Sequence, residues 1–119
     1  MGGNDSSTDP IIRCWRSAKP GSKAKPVKAW LDELDAQSYK QIDKLIALLR
    51  QEKKNLGPPY SKHLGGGLYE LRDQRQGGPG YRLYYCWEGE KIVILLVGGD
   101  KSSQALDIDT ARNRMEEKE

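Results

Sequence analysis

The side chains best suited to chemistry in this chain are two arginines, Arg72 and Arg82, in segments whose apolar and polar residues alternate as in β-strands. A guanidinium group without an acidic partner can hold a phosphate through paired hydrogen bonds and stabilise charge that develops on it. A structural role is the alternative: Arg72 would pair with Glu70 or Asp73 on a solvated face, and Arg82 would cover the sheet edge. The choice depends on what shares the face of the sheet that carries them.

The alternation predicts two neighbouring antiparallel strands over residues 68–73 and 81–87, joined by a turn at 74–80. Their core face would carry Tyr69, Leu71, Leu83 and Tyr85, and their opposite face Glu70, Arg72, Arg82 and Tyr84. Side chains on one face of paired strands lie close enough to share a ligand. The corner that follows a third strand would bring Asp100 and Lys101 to the same end of the sheet. Together these positions form the predicted phosphate site.

His63 is the only histidine in the chain and is predicted to lie in a loop just before the sheet. Its unperturbed pKa suits acid–base chemistry near neutral pH, which gives it a candidate role in proton transfer. The alternative is that His63 is an incidental surface residue, because a lone histidine in a loop usually is.

No metal site, cofactor site or nucleotide-binding loop is predicted. The carboxylates and the histidine lack the spacing of metal ligands. Gly98 and Gly99 lack the leading glycine spacing of a phosphate-binding loop, so they are interpreted as a bend after a strand. Cys14 and Cys86 fall in strand-like segments without metal-ligand spacing, which favours buried thiols over a disulfide.

The positive charge of the chain is concentrated near its N-terminus, although the formal net charge is only +3. Residues 11–28 contain no acid and six cations, which are Arg13, Arg16, Lys19, Lys23, Lys25 and Lys28. Such a segment is either a solvated basic loop or a contact for a phosphate backbone.

Two amphipathic helices are predicted to cover the sheet. The first begins at Pro26, which suits a first helical turn, and carries an apolar stripe at Val27, Trp30, Leu31 and Leu34. The second spans about 37–54, with Ser38 or Asp35 as its cap, and residues 55–67 cross from it to the sheet. A last helix begins at Asp107 or Asp109.

The predicted element order is β-α-α-β-β-β-α, an α+β fold with a mainly antiparallel sheet and a helical hairpin on one face. The first strand covers residues 11–17, and the third strand of the meander, 91–97, is apolar enough to be buried on both faces. Residues 1–10 are predicted to be a disordered tail and residues 11–119 a single domain. The chain has no signal-peptide pattern and no apolar run of membrane-spanning length, so a cytoplasmic location is expected.

Three motifs carry a resemblance to a known family: GLYELR at 67–72, GPGYRLYY at 78–85 and LLVGGDKSSQ at 95–104. In this order and spacing they resemble the RelE/ParE superfamily of toxins from type II toxin–antitoxin systems. The closer resemblance is to its HigB-like branch, also described as phage-derived or addiction-module killer proteins. A weaker match, AWLDEL at 29–34, extends the resemblance to most of the chain after Pro26.

The resemblance implies a ribosome-dependent mRNA endonuclease that inhibits translation and is neutralised by a helix-turn-helix antitoxin. Such toxins promote attack of a ribose 2′-OH on the adjacent phosphate without a metal or cofactor. The position of Arg82 matches the phosphate clamp of the family, and Arg72 and Lys101 would supply further positive charge.

Proton transfer in the best-studied relatives uses a C-terminal tyrosine or a loop histidine. In this chain the tyrosine position falls near Asp107 or Ile108. The candidates for proton transfer are therefore His63, Glu70 and Asp100. The residues predicted to contact RNA are Arg13, Arg16, Lys23, Lys25, Lys62 and Tyr84.

Two other functions are compatible with the same resemblance. A ParE-like toxin would bind a protein target such as DNA gyrase without catalysis, and a plain RNA- or ribosome-binding module would use the sheet as a platform. The presence of Arg72, Arg82 and Lys101 together favours the endonuclease, because a protein-binding toxin has no need of a phosphate clamp.

Overall fold

The computed structural model describes residues 9–21 and 25–117, and the sheet within them has five strands in the order β1-β5-β4-β3-β2. The strands are β1 (Ile11–Cys14), β2 (Ser61–Gly65), β3 (Leu68–Arg72), β4 (Arg82–Glu88) and β5 (Ile92–Gly99). The helices are α1 (Pro26–Asp32), α2 (Ala36–Glu52) and α3 (Gln104–Glu116), with single 3₁₀ turns at Lys53–Asn55 and Lys101–Ser103. Lys23 and most of the predicted tail at 1–10 lie outside the described residues.

The sheet is mainly antiparallel, as predicted, because only β1 pairs in parallel, with β5. Strand β5 lies between β1 and β4 and is buried on both faces. Val93 and Leu95 contact the core on one side, while Ile94 and Leu96 contact the core on the other. The predicted α+β fold is confirmed. Strand β5 is apolar along most of its length because both of its faces are buried, as predicted.

The helical hairpin of α1 and α2 covers one face of the sheet, hereafter the hairpin face. Asp35, one of the two predicted caps, accepts a hydrogen bond from the backbone N–H of Ser38 at 2.7 Å and begins α2. The core on this face is formed by Val27, Ile42, Leu45, Leu49, Leu71, Leu83, Tyr85, Val93 and Leu95. The predicted core face of β3 and β4 is therefore correct.

Helix α3 covers the opposite face, hereafter the α3 face. Its Ala111 is fully buried against a core that includes Leu68, Tyr84 and Leu96. Helix α3 excludes water from much of this face. Arg72 nevertheless stays 40% exposed beside Glu70, as the structural alternative predicted, whereas Arg82 is buried on the interior strand β4 and does not cover the sheet edge. The helix begins at Gln104 rather than at Asp107 or Asp109, since the preceding 3₁₀ turn leads directly into it.

Strand β2 was not predicted. It lies in residues 55–67, which were expected to be a connection, and it pairs with β3 as the edge strand. His63 therefore lies in a strand and not in a loop. The first strand begins at Ile11 as predicted but ends earlier, at Cys14 instead of residue 17.

Both cysteines carry thiols, as predicted, with Cys86 buried and Cys14 half-buried. Burial raises the pKa of the Cys14 thiol, and the charges of Lys25 and Lys28 oppose that rise. Within the described ranges, 9–21 and 25–117, no helix combines the length and the apolar character needed to cross a membrane.

Gly98 and Gly99 are not a bend but the last residues of β5, where both faces of the sheet are crowded. A Cβ atom on Gly98 would collide with the indole ring of Trp30 on the hairpin face. A Cβ atom on Gly99 would collide with the carboxylate of Asp107 and the hydroxyl of Ser103 on the α3 face. The two glycines therefore allow α1 and α3 to approach one strand from opposite sides.

Replacing Gly98 with alanine should lower the free energy of unfolding by about 1–3 kcal/mol, because the added methyl group overpacks the contact with Trp30. Urea denaturation of the two proteins measures the difference. Gly57→Ala is the matched control, since a Cβ atom there meets nothing within 4 Å. Equal losses in the two variants would show that the Trp30 contact is not the cause.

Candidate active site

The carboxylate of Glu70 is the centre of a buried polar group on the α3 face. Strands β3 and β4 pair so that Glu70 lies opposite Tyr84 and Arg72 opposite Arg82. The two carboxylate oxygens of Glu70 lie 3.5 Å from Nε of Arg72 and 3.3 Å from Nε of Arg82. The side chain of Glu70 is only 2% exposed. The two arginines thus share one acid, and that acid is shielded from water.

Helix α3 completes this group through Gln104, whose side-chain amide donates to Glu70 Oε2 at 2.9 Å. We call Glu70, Arg72, Arg82 and Gln104 the Glu70 cluster. Gln104 is not among the predicted site residues, although it ends the LLVGGDKSSQ motif. Its role depends on where α3 begins, which the sequence pattern misplaced by at least three residues.

The two arginines of the cluster differ in how much of them a ligand could reach. The side chain of Arg82 is 9% exposed, and its Nη1 donates to the carbonyl of Gly80 at 2.8 Å. Its Nε is buried without hydrogen-bond geometry to any group in the described part of the chain, although Glu70 lies near it. The side chain of Arg72 is 40% exposed. Arg72 is therefore the accessible guanidinium and Arg82 the enclosed one.

The corner after β5 brings Lys101 beside Arg82, as predicted. The backbone N–H of Lys101 donates to the carbonyl of Pro79 at 3.2 Å. A Cβ atom on Gly80 would lie 3.2 Å from both Lys101 Cβ and Arg82 Nη1, so glycine is needed for this approach. The φ angle of Gly80 is also +70°, which favours glycine. Gly80 is a positioning residue that the sequence analysis missed.

Asp100 holds the corner in place. Its carboxylate accepts hydrogen bonds from the backbone N–H of Ser102 at 2.9 Å and from the Ser102 hydroxyl at 2.6 Å. Both hydrogen bonds lower the pKa of Asp100, because they stabilise the ionised carboxylate, and the bond from the hydroxyl has the larger effect. Asp100 thus caps a 3₁₀ turn, and its lowered pKa keeps the carboxyl group ionised near neutral pH, so that it has no proton to donate and is a weak base.

Tyr84 lies on the α3 face beside Glu70 and is fully buried. Burial, and then the negative charge of Glu70, raise the pKa of Tyr84, so its phenol stays protonated. The hydroxyl oxygen has no partner with hydrogen-bond geometry among the described residues. The predicted contact between Tyr84 and RNA does not fit this placement, because α3 covers the ring.

His63 lies on the hairpin face, away from the Glu70 cluster. It pairs with Tyr69 across β2 and β3, and the two rings stack with centroids 4.6 Å apart. The backbone N–H of Gly67 donates to His63 Nε2 at 3.3 Å. The structure therefore does not bring His63 together with Arg82. Its neighbour Lys62 lies opposite Glu70 in the register of β2 and β3, and therefore on the α3 face, where it is exposed.

Asp73, the alternative partner predicted for Arg72, pairs with Arg75 instead. Arg75 Nη2 lies 2.7 Å from Asp73 Oδ2, and the same nitrogen donates to the Ser38 hydroxyl at 3.1 Å. This pair ties the turn after β3 to the start of α2. The carboxylate that neutralises Arg72 is thus Glu70, the other partner that the sequence analysis considered.

The family described as Phage derived protein Gp49-like (DUF891) matches residues 29–116, well over half of the chain. The chain belongs to this family. Every residue of the Glu70 cluster lies within the Gp49-like match, whereas β1 and the basic residues before Ala29 lie outside it.

Two curated relatives resemble parts of the chain. A Haemophilus influenzae protein named "Uncharacterized protein" is 45% identical over 51 residues, which are 43% of this chain and 50% of the relative. A Mycobacterium tuberculosis protein named "Putative toxin HigB2" is 28% identical over 82 residues, which are 66% of this chain and 41% of the relative. The chain spans half or less of the length of these relatives.

The chemistry available at this site is electrostatic. Arg72 and Lys101 present positive charge at the surface, and Arg82 lies behind them next to a carboxylate and a neutral phenol. Within the part of the chain that the structure describes, no three His, Cys, Asp or Glu side chains converge as metal ligands would. A phosphate that reached this end of the sheet would meet three cations and one potential proton acceptor.

Proposed function

We propose that this chain is the toxin of a type II toxin–antitoxin system and acts as a ribosome-dependent mRNA endonuclease of the RelE/ParE superfamily, HigB-like branch. The observation that carries the proposal is the convergence of Arg72, Arg82 and Lys101 at one end of the sheet. Membership of the Gp49-like family and similarity to a protein named as a toxin support it.

The proposed reaction is an internal transfer of the phosphate. The ribose O2′ gives up its proton and forms a bond to the adjacent phosphorus, while the bond from phosphorus to O5′ breaks and O5′ takes up a proton. The products are a 2′,3′-cyclic phosphate and a 5′-hydroxyl. Negative charge develops on the phosphoryl oxygens, and guanidinium groups placed there stabilise it.

Access to the enclosed arginine requires an exchange of partners. Glu70 lies 3.3 Å from Arg82 and 3.5 Å from Arg72, so an incoming phosphate competes with this carboxylate for both guanidinium groups. Arg72 and Lys101 are exposed enough to receive the phosphate first. In this proposal the carboxylate displaced from the arginines becomes the acceptor of the 2′-OH proton.

Glu70 is the best of the three predicted candidates for proton transfer. His63 lies on the other face of the sheet, and Asp100 is engaged in capping the corner. Glu70 alone touches the arginines that would hold the phosphate. Tyr84, which stays protonated next to Glu70, could donate a proton only after α3 uncovers it.

The proposed partners are the ribosome with its mRNA and a cognate antitoxin, expected to be a small helix-turn-helix protein encoded beside this chain. The proposed location is the cytoplasm, where translated mRNA is found. Co-expression of the neighbouring protein should remove the growth inhibition that this chain causes when it is expressed alone.

The burial of Arg82 favours one competing function. An arginine that is 9% exposed and next to a carboxylate resembles a structural ion pair as much as a phosphate clamp. In that case the chain would be a ParE-like toxin that binds a protein target such as DNA gyrase. The two functions differ in what is damaged in the cell, which is mRNA for the endonuclease and DNA for the gyrase-binding toxin.

Primer extension on an mRNA that is being translated by purified ribosomes tests the proposal. The protein should introduce cuts in the translated mRNA and leave the same mRNA intact when ribosomes are omitted. Intact mRNA together with broken DNA in expressing cells would contradict the endonuclease and support the gyrase-binding toxin. Binding to ribosomes without any cut would support a plain binding module.

A further inference from the structure

A second concentration of positive charge lies at the β1 edge of the sheet, the edge opposite β2. A cleft of about 370 Å³ opens there between β1 and the start of α1. We call it the β1 cleft, and it is lined by Ile12, Arg13, Cys14, Arg16, Lys25 and Lys28. Four of the six lining residues are cations and none is an acid. The basic segment seen in the sequence is therefore gathered around one concave surface.

Three of these four cations have no acidic partner among the described residues. Lys28 forms an ion pair with Asp32 at 3.2 Å, one turn further along α1. Arg13, Arg16 and Lys25 form no ion pair with any residue in the described ranges. Lys25 and Lys28 line the cleft together with Cys14, and their positive charges act on its thiol. Like charges held together repel each other, and an anion in the cleft relieves that repulsion.

The β1 cleft is independent of the Glu70 cluster. All four of its cations precede the part of the chain that matches the Gp49-like family, 29–116. No residue is shared between the two, and the cleft opens at the sheet edge whereas the cluster lies beneath α3. A ligand of the cleft would therefore bind at residues outside the family match.

The cleft and the cluster nevertheless lie near the same end of the sheet. Strand β1 runs parallel to β5, with Cys14 opposite Leu95, and Arg82 lies opposite Gly99 at the end of β5. Two strand spacings and four residues along the strand separate Cys14 from Arg82, a distance of about 16 Å between Cα atoms in a regular sheet. One RNA strand can reach both places within a few nucleotides.

We propose that the β1 cleft binds the phosphate backbone of an RNA strand, at a site separate from the one where the strand is cut. The choice of RNA, rather than another polyanion, rests on the proposed function. Arginine favours phosphate, because its planar guanidinium group can bond two phosphate oxygens at once. None of the described residues that line the cleft is aromatic. The cleft therefore holds the backbone without stacking on bases, so binding does not depend on base sequence.

The salt dependence of binding to a short single-stranded RNA oligonucleotide tests this site. Each phosphate contact contributes about 0.7 to the slope of log affinity against log salt concentration for a single strand. The double variant Arg13→Gln, Lys25→Gln should therefore lower the slope by about 1.4, equally for oligonucleotides of different sequence. Lys40→Gln, Lys44→Gln is the matched control, because it removes the same charge from exposed positions on α2. Equal slopes for the two double variants would overturn the proposal.

Cys14 provides a second measurement inside the cleft. Bound RNA should slow alkylation of Cys14, because it covers the thiol and because its negative charge disfavours the thiolate. Cys14→Ser shows how much labelling comes from the buried Cys86. Protection by poly-glutamate at the same charge concentration, with none by RNA, would overturn the proposal in favour of an acidic protein segment.

These measurements separate the cleft from the cutting site. Oligonucleotide binding and Cys14 protection need neither ribosomes nor cleavage, so they fail only if the cleft does not bind RNA. If the primer-extension experiment shows no cuts while the salt slope and the Cys14 protection behave as expected, the endonuclease proposal is contradicted and the proposed RNA site is still supported.

Discussion

Replacing Arg82 with alanine should lower the rate of ribosome-dependent mRNA cleavage by roughly 10²–10³-fold, the usual cost of removing one preorganised group that stabilises developing charge. Arg82 is held ready for this role, since its Nη1 is bonded to the carbonyl of Gly80 and its surroundings are shielded from water. Growth inhibition in expressing cells should fall in parallel. Primer extension on translated mRNA measures the first effect and colony counts the second.

The control for Arg82 must separate chemistry from folding, because alanine also removes a neighbour of the buried Glu70. Arg112→Ala is a matched control. Arg112 donates to the carbonyls of Leu64 and Gly65 at 3.0 and 3.1 Å, so it has a structural role without contact to the cluster. It should leave cleavage unchanged. Full toxicity in a folded Arg82→Ala variant would show that the clamp is not catalytic.

The faces of the sheet could be predicted from the sequence, because the side chains of a strand alternate with a period of exactly two residues. That period places Glu70, Arg72 and Arg82 on one face of the sheet. It could not show that Glu70 lies between the arginines. The burial of Glu70 depends on α3, in which Ala111 is the one fully buried residue and Ile108 and Met115 are only partly buried. A weakly amphipathic helix gives no sign in the sequence of the face that it covers.

Strand β2 was beyond prediction for a different reason. Its sequence, SKHLG, has no apolar alternation, and the segment around it contains two prolines and several glycines. β2 forms because it pairs with β3, which sets its register, and not because its own sequence alternates apolar and polar residues. The misplacement of His63 follows directly, because a residue in an unpredicted edge strand cannot be assigned to a face.

Replacing Glu70 with glutamine should lower the free energy of unfolding by about 3–5 kcal/mol, the cost of leaving a buried charge without its partner. Glutamine keeps the shape of the side chain but removes the charge that faces Arg82 and Arg72. Its amide group also adds donors where Gln104 already donates. Urea denaturation measures the loss. The matched control is Glu90→Gln, whose carboxylate pairs with Lys54 at 3.3 Å but is 84% exposed, so it should cost less than about 1 kcal/mol.

The same variant decides what Glu70 does in the reaction. If Glu70 accepts the 2′-OH proton, cleavage by the folded Glu70→Gln variant should fall about as far as in Arg82→Ala, because an amide cannot take up that proton. If Glu70 only holds the arginines apart until RNA arrives, its removal leaves both guanidinium groups open to phosphate. RNA should then bind more tightly and cleavage should persist. Cleavage rates measured under conditions in which each variant is folded distinguish the two roles of Glu70: a proton acceptor, or a positioning residue that competes with the substrate.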